Sequence, residues 1–265
     1  MSGSLGRIGA MARRHLYLFR SSWTRIFDLV YWPVLQMTIW GFVTVFLNQH
    51  SNWFANAAGV LIGAVLLWDV LVRSQFGLTL SLLEEMWSRN LANLFVSPLR
   101  PWEFATSLML LSVTRSMIGV LPAALLAIPL FAYSIFDLGL PLLAFWSMLV
   151  MLGWSIGLLI GALLFRFGLA AESYAWASIF IIQPISGVWY PVSVLPVWLK
   201  PLAWCLPSTY VFEGMRAVVI DKVFRWDLLA QAFALNILIM ALAFGAFLFA
   251  FGRARERGQL LQSSE

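Results

Sequence analysis

Six apolar runs dominate the chain, at residues 28–48, 56–78, 105–131, 141–164, 171–190 and 228–251. Each is close to the ~20 apolar residues that a helix needs to cross a bilayer. Inside hydrocarbon no water satisfies a backbone amide, so an isolated run of this kind must bond within itself as a helix. Composition points the same way. The 265 residues are 62% hydrophobic and 11% charged, whereas soluble domains carry roughly 25% charged residues. The 14 Trp and 21 Phe suit a chain with two membrane interfaces. The expected fold class is an all-α integral membrane protein with six transmembrane helices. The longest stretch between runs, about 191–227, is too short and too apolar for a core of its own, so residues 1–265 are expected to form one membrane domain.

The arginines set an expected orientation. Arg7, Arg13, Arg14, Arg20 and Arg25 precede the first run, and Arg89 and Arg100 lie between the second and third. Arg166 follows the fourth, and Arg253, Arg255 and Arg257 follow the sixth. Six crossings put all of these on one side. The opposite connections at 49–55 and 132–140 carry no Lys or Arg. The positive-inside rule then predicts a multi-pass protein of the cell inner (plasma) membrane with both termini cytoplasmic. The last outer connection holds Lys200, Arg216, Lys222 and Arg225, offset by Glu213, Asp221 and Asp227.

Residues 187–216 are apolar enough for a membrane, yet Pro191, Pro196, Pro201 and Pro207 interrupt them. Proline lacks a backbone donor and clashes with the preceding turn, which excludes one continuous helix. Broken backbone at membrane depth survives only where protein buries it or water reaches it. The spacing therefore predicts a re-entrant or interfacial structure over 191–216. Glu213 and Arg216 can pair at i,i+3, either as a structural pair or as the latch of an outer gate.

Two amphipathic stretches lie on the expected cytoplasmic side. In residues 8–27, Leu16, Phe19, Trp23 and Ile26 follow helical spacing while Arg13, Arg20 and Thr24 take other faces. This predicts an interfacial helix with its arginines near lipid phosphates. In residues 84–97, Leu91, Leu94 and Phe95 make a short apolar face beside Glu84, Glu85, Arg89 and Asn93, and Pro98 ends the segment. That pattern fits a helix docking in a partner's groove, or a connector resting on lipid. Within the runs, Asp69 and Arg73 stand one turn apart and Arg115 lies on the third. They either line a conduit or coordinate an anionic headgroup, or Asp69 neutralises Arg73 or Arg115 structurally while the arginines snorkel to the inner interface.

No reaction chemistry is visible. A phosphate-binding loop requires G-x-x-x-x-G-K-[ST], and the only lysines, Lys200 and Lys222, do not follow glycine. His15, His50 and the single Cys205 make no metal cluster and no credible nucleophile pair. The expectation is a non-enzyme that binds no cofactor or metal. Gly153, Gly157 and Gly161 form two overlapping G-x-x-x-G spacings, read as packing within one protomer rather than as a dimer seam.

These ordered features resemble the membrane permeases of type-2 ABC transporters, including nodulation-factor, polysaccharide and drug exporters. The resemblance covers nearly the whole chain. It rests most specifically on Glu84, Glu85 and Pro98, and on Gly187, Tyr190, Pro191, Leu195, Pro196, Pro207 and Arg216. Arg89-Asn90-Leu91 stands where a Gly-Thr pair is common in that family. The resemblance implies that residues 84–97 are a coupling helix docking on a separate ATP-binding cassette ATPase, which holds the ATP and magnesium. It also implies a second permease copy, with short outer helices between the fifth and sixth spans. Trp40, Trp68, Trp176, Trp189 and Tyr190 are candidate pathway residues, with Asp69, Arg73, Arg115, Pro191, Pro196, Glu213 and Arg216 as further pathway or gate candidates. The preferred reading is the permease of an ATP-driven exporter of amphipathic, lipid-linked, glycan or drug-like cargo. The alternatives are a proton-driven secondary transporter relaying through Asp69 and Arg115, and a non-transporting membrane scaffold.

Overall fold

The computed structural model describes residues 3–20, 23–50, 58–88, 90–91 and 99–257, and every regular element among them is helical. In chain order these are α1 (Ser4–Arg20), α2 (Trp23–His50), α3 (Ala58–Trp87), α4 (Pro101–Phe131), α5 (Leu140–Phe167), α6 (Glu172–Ile182), α7 (Lys200–Trp204), α8 (Pro207–Arg216) and α9 (Trp226–Arg257). Single 3-10 turns occupy Ile135–Leu138, Gly168–Ala171, Gln183–Ile185 and Val192–Val194, and a π-turn occupies Ala217–Asp221.

Five helical stretches among the described residues are long and apolar enough to cross a membrane: Trp23–Leu47, Gly59–Trp87, Pro101–Phe131, Leu140–Ile185 and Trp226–Glu256. The run expected as a separate span at 171–190 differs from the others. Its α-helical part, α6, has only 11 residues, about 16 Å of rise. Gly168, at φ +66 and ψ −154, closes α5 in a conformation that L side chains avoid, and its N–H still bonds to the Leu164 carbonyl. Pro184 then falls just beyond α6, where it cannot donate to another α turn. The expected break across residues 187–216 is present, and Pro201 and Pro207 sit in the first turns of α7 and α8. Proline belongs there, because the first-turn amide has no helical acceptor.

α3 is the centre of the bundle. Its most apolar window is 78% buried, against 22% for α2 and for α9. α3 lies between α4 and α5, α2 covers α4, and α9 and α8 cover α5. The glycine spacing in α5 makes this possible. A Cβ built on Gly153 would stand 2.7 Å from the Leu71 carbonyl oxygen, and one on Gly157 would stand 3.2 Å from that of Gln75. The G-x-x-x-G run is thus an intraprotomer seam, as read from the sequence.

Polar side chains stitch the seams. The Trp154 indole N–H donates to Ser112 Oγ at 2.6 Å, joining α5 to α4. Gln75 Nε2 donates to the Ala175 carbonyl at 3.3 Å, joining α3 to α6, and Asn236 Nδ2 donates to the Met148 carbonyl at 3.1 Å, joining α9 to α5. Ser74 and Ser81 return their hydroxyl protons to carbonyls one turn back, a low-cost way to bury a hydroxyl in a helix.

Phe251 meets Phe104 at 6.3 Å and Phe165 at 5.3 Å between ring centroids. The end of α9, the start of α4 and the end of α5 therefore share one end of the bundle with α1. We call this the arginine end, and the opposite one the far end.

Candidate functional site

Three carboxylates gather at the arginine end, and each is met by arginine from another helix. Glu103 lies in the first turn of α4, is fully buried, and accepts Arg7 Nε at 2.9 Å on one oxygen while the Arg7 Nη2 donates to the other. It also accepts the Arg100 backbone N–H at 2.9 Å, closing the start of the helix. This charge-assisted hydrogen bonding raises the pKa of Arg7 above its ordinary value. Glu85, buried near the end of α3, meets Arg14 Nη1 at 2.9 Å and Asn90 Nδ2 at 2.6 Å. Glu84 meets Arg115 Nη2 of α4 at 3.2 Å and Arg25 Nη1 of α2 at 3.5 Å.

These contacts tie the end of α3 to α1, α2 and α4. Of the helix expected over 8–27, residues 8–20 lie in α1 and Trp23 and Ile26 lie in α2. α1 packs on α4 and buries Ile8, Met11 and Ala12. Those three side chains are taken up by protein, while Leu5, Arg13 and Tyr17 stay exposed. Of the residues assigned from sequence to docking, Glu84 and Glu85 complete the last turn of α3, and Leu91 is helical and buried. Arg89, Leu94 and Phe95 lie outside the described residues.

The buried charges of α3 pair differently from the sequence alternatives. Arg115 meets Glu84 and not Asp69. Asp69 and Arg73 make no ion pair, and Asp69 Oδ2 and Arg73 Nε have no hydrogen-bond partner. The Arg73 stem instead runs toward α4, with Cδ 3.5 Å from where a Cβ of Gly119 would stand.

The far end is held differently. Gly187, at φ +70, turns the chain out of α6. The buried Arg216 Nη2 donates to the Gly187 carbonyl and, at 3.3 Å, to that of Val188, and its Nη1 lies 3.5 Å from Glu213 Oε1. Glu213 in turn accepts the Val192 N–H at 2.7 Å. The pair clamps backbone 187–192 onto α8. Trp189 stacks on Trp40 of α2 at 4.0 Å and 19°, and the Tyr190 hydroxyl donates to the Pro184 carbonyl at 2.6 Å. Pro191 and Pro196 are exposed. Trp68 is buried within the protomer against Phe212, and Trp176 is half exposed beside Phe76. The aromatic candidates thus do not converge on one cavity: Trp40 and Trp189 meet, while Tyr190 packs beside Val192, Leu195 and Ala203.

Sequence reading missed the role of Arg7, Glu103, Arg14 and Arg25 as bolts between helices. The Pro101-Trp102-Glu103 start carries a helix-opening signal, since proline in the first turn and a carboxylate at the third position favour initiation. It also missed Tyr133, whose ring lies over Gly59 and Gly63 of α3. Burial pushes its hydroxyl pKa up to about 12, with Asp137 adding to the shift.

No curated protein matches the chain. The family model described as ABC-2 type transporter matches residues 8–220, from α1 through α8 to the π-turn. That span takes in the ties of Arg14, Arg25 and Arg115 to Glu84 and Glu85, the glycine seam and the Glu213–Arg216 clamp together. The chain belongs to the ABC-2 type transporter family and is the transmembrane permease component of an ABC transporter, a multi-pass membrane protein whose family normally works with an ATPase partner.

Proposed function

We propose that the chain is the permease half of an ATP-driven exporter, working as a pair of permeases beside two ATPase subunits that carry ATP and magnesium. The observation that carries this reading is the convergence on the end of α3. Glu84 and Glu85 lie directly before the segment 88–98, and arginines from α1, α2 and α4 grip them. A push delivered to that segment by a partner reaches three further helices through charged contacts rather than through a loose linker. Residues 84–97 are the proposed docking element, with Glu84, Glu85, Arg89, Leu91, Leu94 and Phe95 at its centre.

In this reading the arginine end faces the cytoplasm, by the positive-inside rule, and the sixth crossing is completed by α6 with its flanking turns. Cargo passes between two permease copies. The Trp40–Trp189 stack and Tyr190 offer apolar faces with polar edges, which suits an amphipathic, lipid-linked, glycan or drug-like molecule. The clamp at Glu213 and Arg216 holds the outer turns. The proton-relay alternative loses support because Asp69 and Arg115 are not in contact.

The test is reconstitution of the purified permease with the ATPase that co-purifies with it. ATP-dependent cargo movement, lost on Glu85→Arg while the permease still inserts and folds, is the expected result. Transport by permease-only vesicles without ATP would overturn the reading.

A further inference from the structure

The three arginine-end carboxylates are not equally held. Glu103 is fully buried and takes a two-pronged arginine plus a backbone amide. Glu85 is 2% exposed and takes contacts at 2.9 and 2.6 Å. Glu84 is 23% exposed and its two arginine contacts are the longer ones, at 3.2 and 3.5 Å. One carboxylate here faces two guanidinium groups borne by different helices. Arg25 is itself 41% exposed at the start of α2. The nearest acid on its own helix, Asp28, is engaged by the Trp32 indole N–H at 3.1 Å. Arg73 lies farther along α3 on the face that also carries Glu84. On the side of α2 turned away from Arg25, Trp23, Phe27 and Tyr31 are exposed, an apolar and aromatic strip of the kind that lies against lipid near a membrane interface.

We propose that Arg25 and Arg115 form a phosphate-binding site at the membrane surface, occupied by Glu84 in the structure described, so that an anionic lipid headgroup and Glu84 compete for the same two guanidinium groups. A phosphodiester shares one negative charge over two non-bridging oxygens in a geometry that guanidinium matches well, so it can bridge both arginines as the two oxygens of Glu84 do. When lipid takes the site, the end of α3 loses its tie to α2 and α4 but keeps Arg14 on Glu85. The headgroup thereby acts on the turn that precedes segment 88–98. The site is independent of the export reading, because its binding test contains no ATPase and no cargo.

Competition has a signature that a structural ion pair lacks: removing the acid tightens the ligand. The experiment is native mass spectrometry of the full-length permease in neutral detergent, titrated with phosphatidylglycerol or phosphatidylcholine. Wild type is expected to retain phosphatidylglycerol preferentially. Glu84→Gln is expected to raise the apparent affinity by up to about fivefold, the worth of a partly exposed ion pair no longer competing. Arg25→Gln is expected to abolish the preference. Glu84→Asp, a shorter and weaker competitor, moves affinity the same way as Glu84→Gln and serves if that variant fails to fold. Millimolar inorganic phosphate added to the phosphatidylglycerol titration separates the sources. Displacement assigns the site to free phosphate, and retention assigns it to lipid. Unchanged or weakened phosphatidylglycerol binding in the folded Glu84 variants, or an unchanged preference in Arg25→Gln, overturns the proposal.

Discussion

Gly153 lets the α3–α5 seam be tested atom by atom. A methyl group there would stand 2.7 Å from both the Leu71 carbonyl oxygen and Ser74 Cβ, and 3.0 Å from the Gln75 nitrogen. Two of these three are backbone atoms of a helix, which cannot swing aside as a side chain can. Ordinary contact begins near 3.4 Å, so the helices must part locally by about 0.7 Å, and overpacking of this kind costs roughly 1–3 kcal/mol. Alanine also gains up to about 1 kcal/mol of helix propensity over glycine. The two terms oppose each other, and at Gly153 the clash wins, for an expected net loss of about 1–2 kcal/mol. Gly245 of α9 is the control, because a Cβ there meets nothing within 4 Å and only the propensity gain remains. Gly161 falls between them, since its nearest neighbour is the Phe247 ring at 3.0 Å, which can turn. Reversible unfolding in mixed detergent micelles, followed by circular dichroism, should rank Gly153→Ala below wild type and Gly245→Ala at or above it. Equal stability of the two variants would refute the seam as described.

Gly63→Ala should be destabilising on its own, because its Cβ would stand 2.5 Å from the Tyr133 hydroxyl oxygen. Tyr133→Phe should restore stability to the double variant, since the next atom of that ring lies at 3.4 Å; the same unfolding assay reads both. Ser112→Ala removes the acceptor of the Trp154 indole N–H and should cost about 0.6–1 kcal/mol, the usual worth of a hydrogen bond between membrane helices. Arg216→Lys keeps the charge but cannot reach Gly187, Val188 and Glu213 together. Amide exchange over 187–192 should quicken at least tenfold if the clamp accounts for about 1.4 kcal/mol or more of local stability.

Much of this fold is legible in the sequence because bilayer physics leaves few choices. Apolar runs must be helices, and four prolines in 191–207 must break one. The role of Gly153, Gly157 and Gly161 followed from their spacing alone. The fifth run was less legible. Hydropathy reports that residues 171–190 are apolar, but Gly168 and Pro184 decide where the α-helix starts and stops, and they leave only α6. Charge pairing was least legible. Spacing of i,i+4 brings Asp69 and Arg73 near each other at Cβ, yet the two make no ion pair, and the Arg73 stem passes beside Gly119 of α4. Glu84 finds Arg25 and Arg115 through the packing of three helices, which no local pattern encodes.

The two ends of the bundle differ in how costly their ties are to remake. At the far end Arg216 is spent on backbone carbonyls inside the protein. Withdrawing it would orphan buried acceptors and a buried cation at once, a penalty of several kcal/mol. At the arginine end, two of the three guanidinium groups that tie Glu84 and Glu85 are in part solvent-exposed, Arg14 and Arg25 at 41% each, while Arg115 is 4% exposed. Partly hydrated ion pairs exchange partners for little net energy, since water or another anion replaces what is lost. The ties of Glu84 and Glu85 are thus the ones that can change hands at least cost, whereas the glycine-packed contacts of α5 with α3 and α8 have no such substitutes.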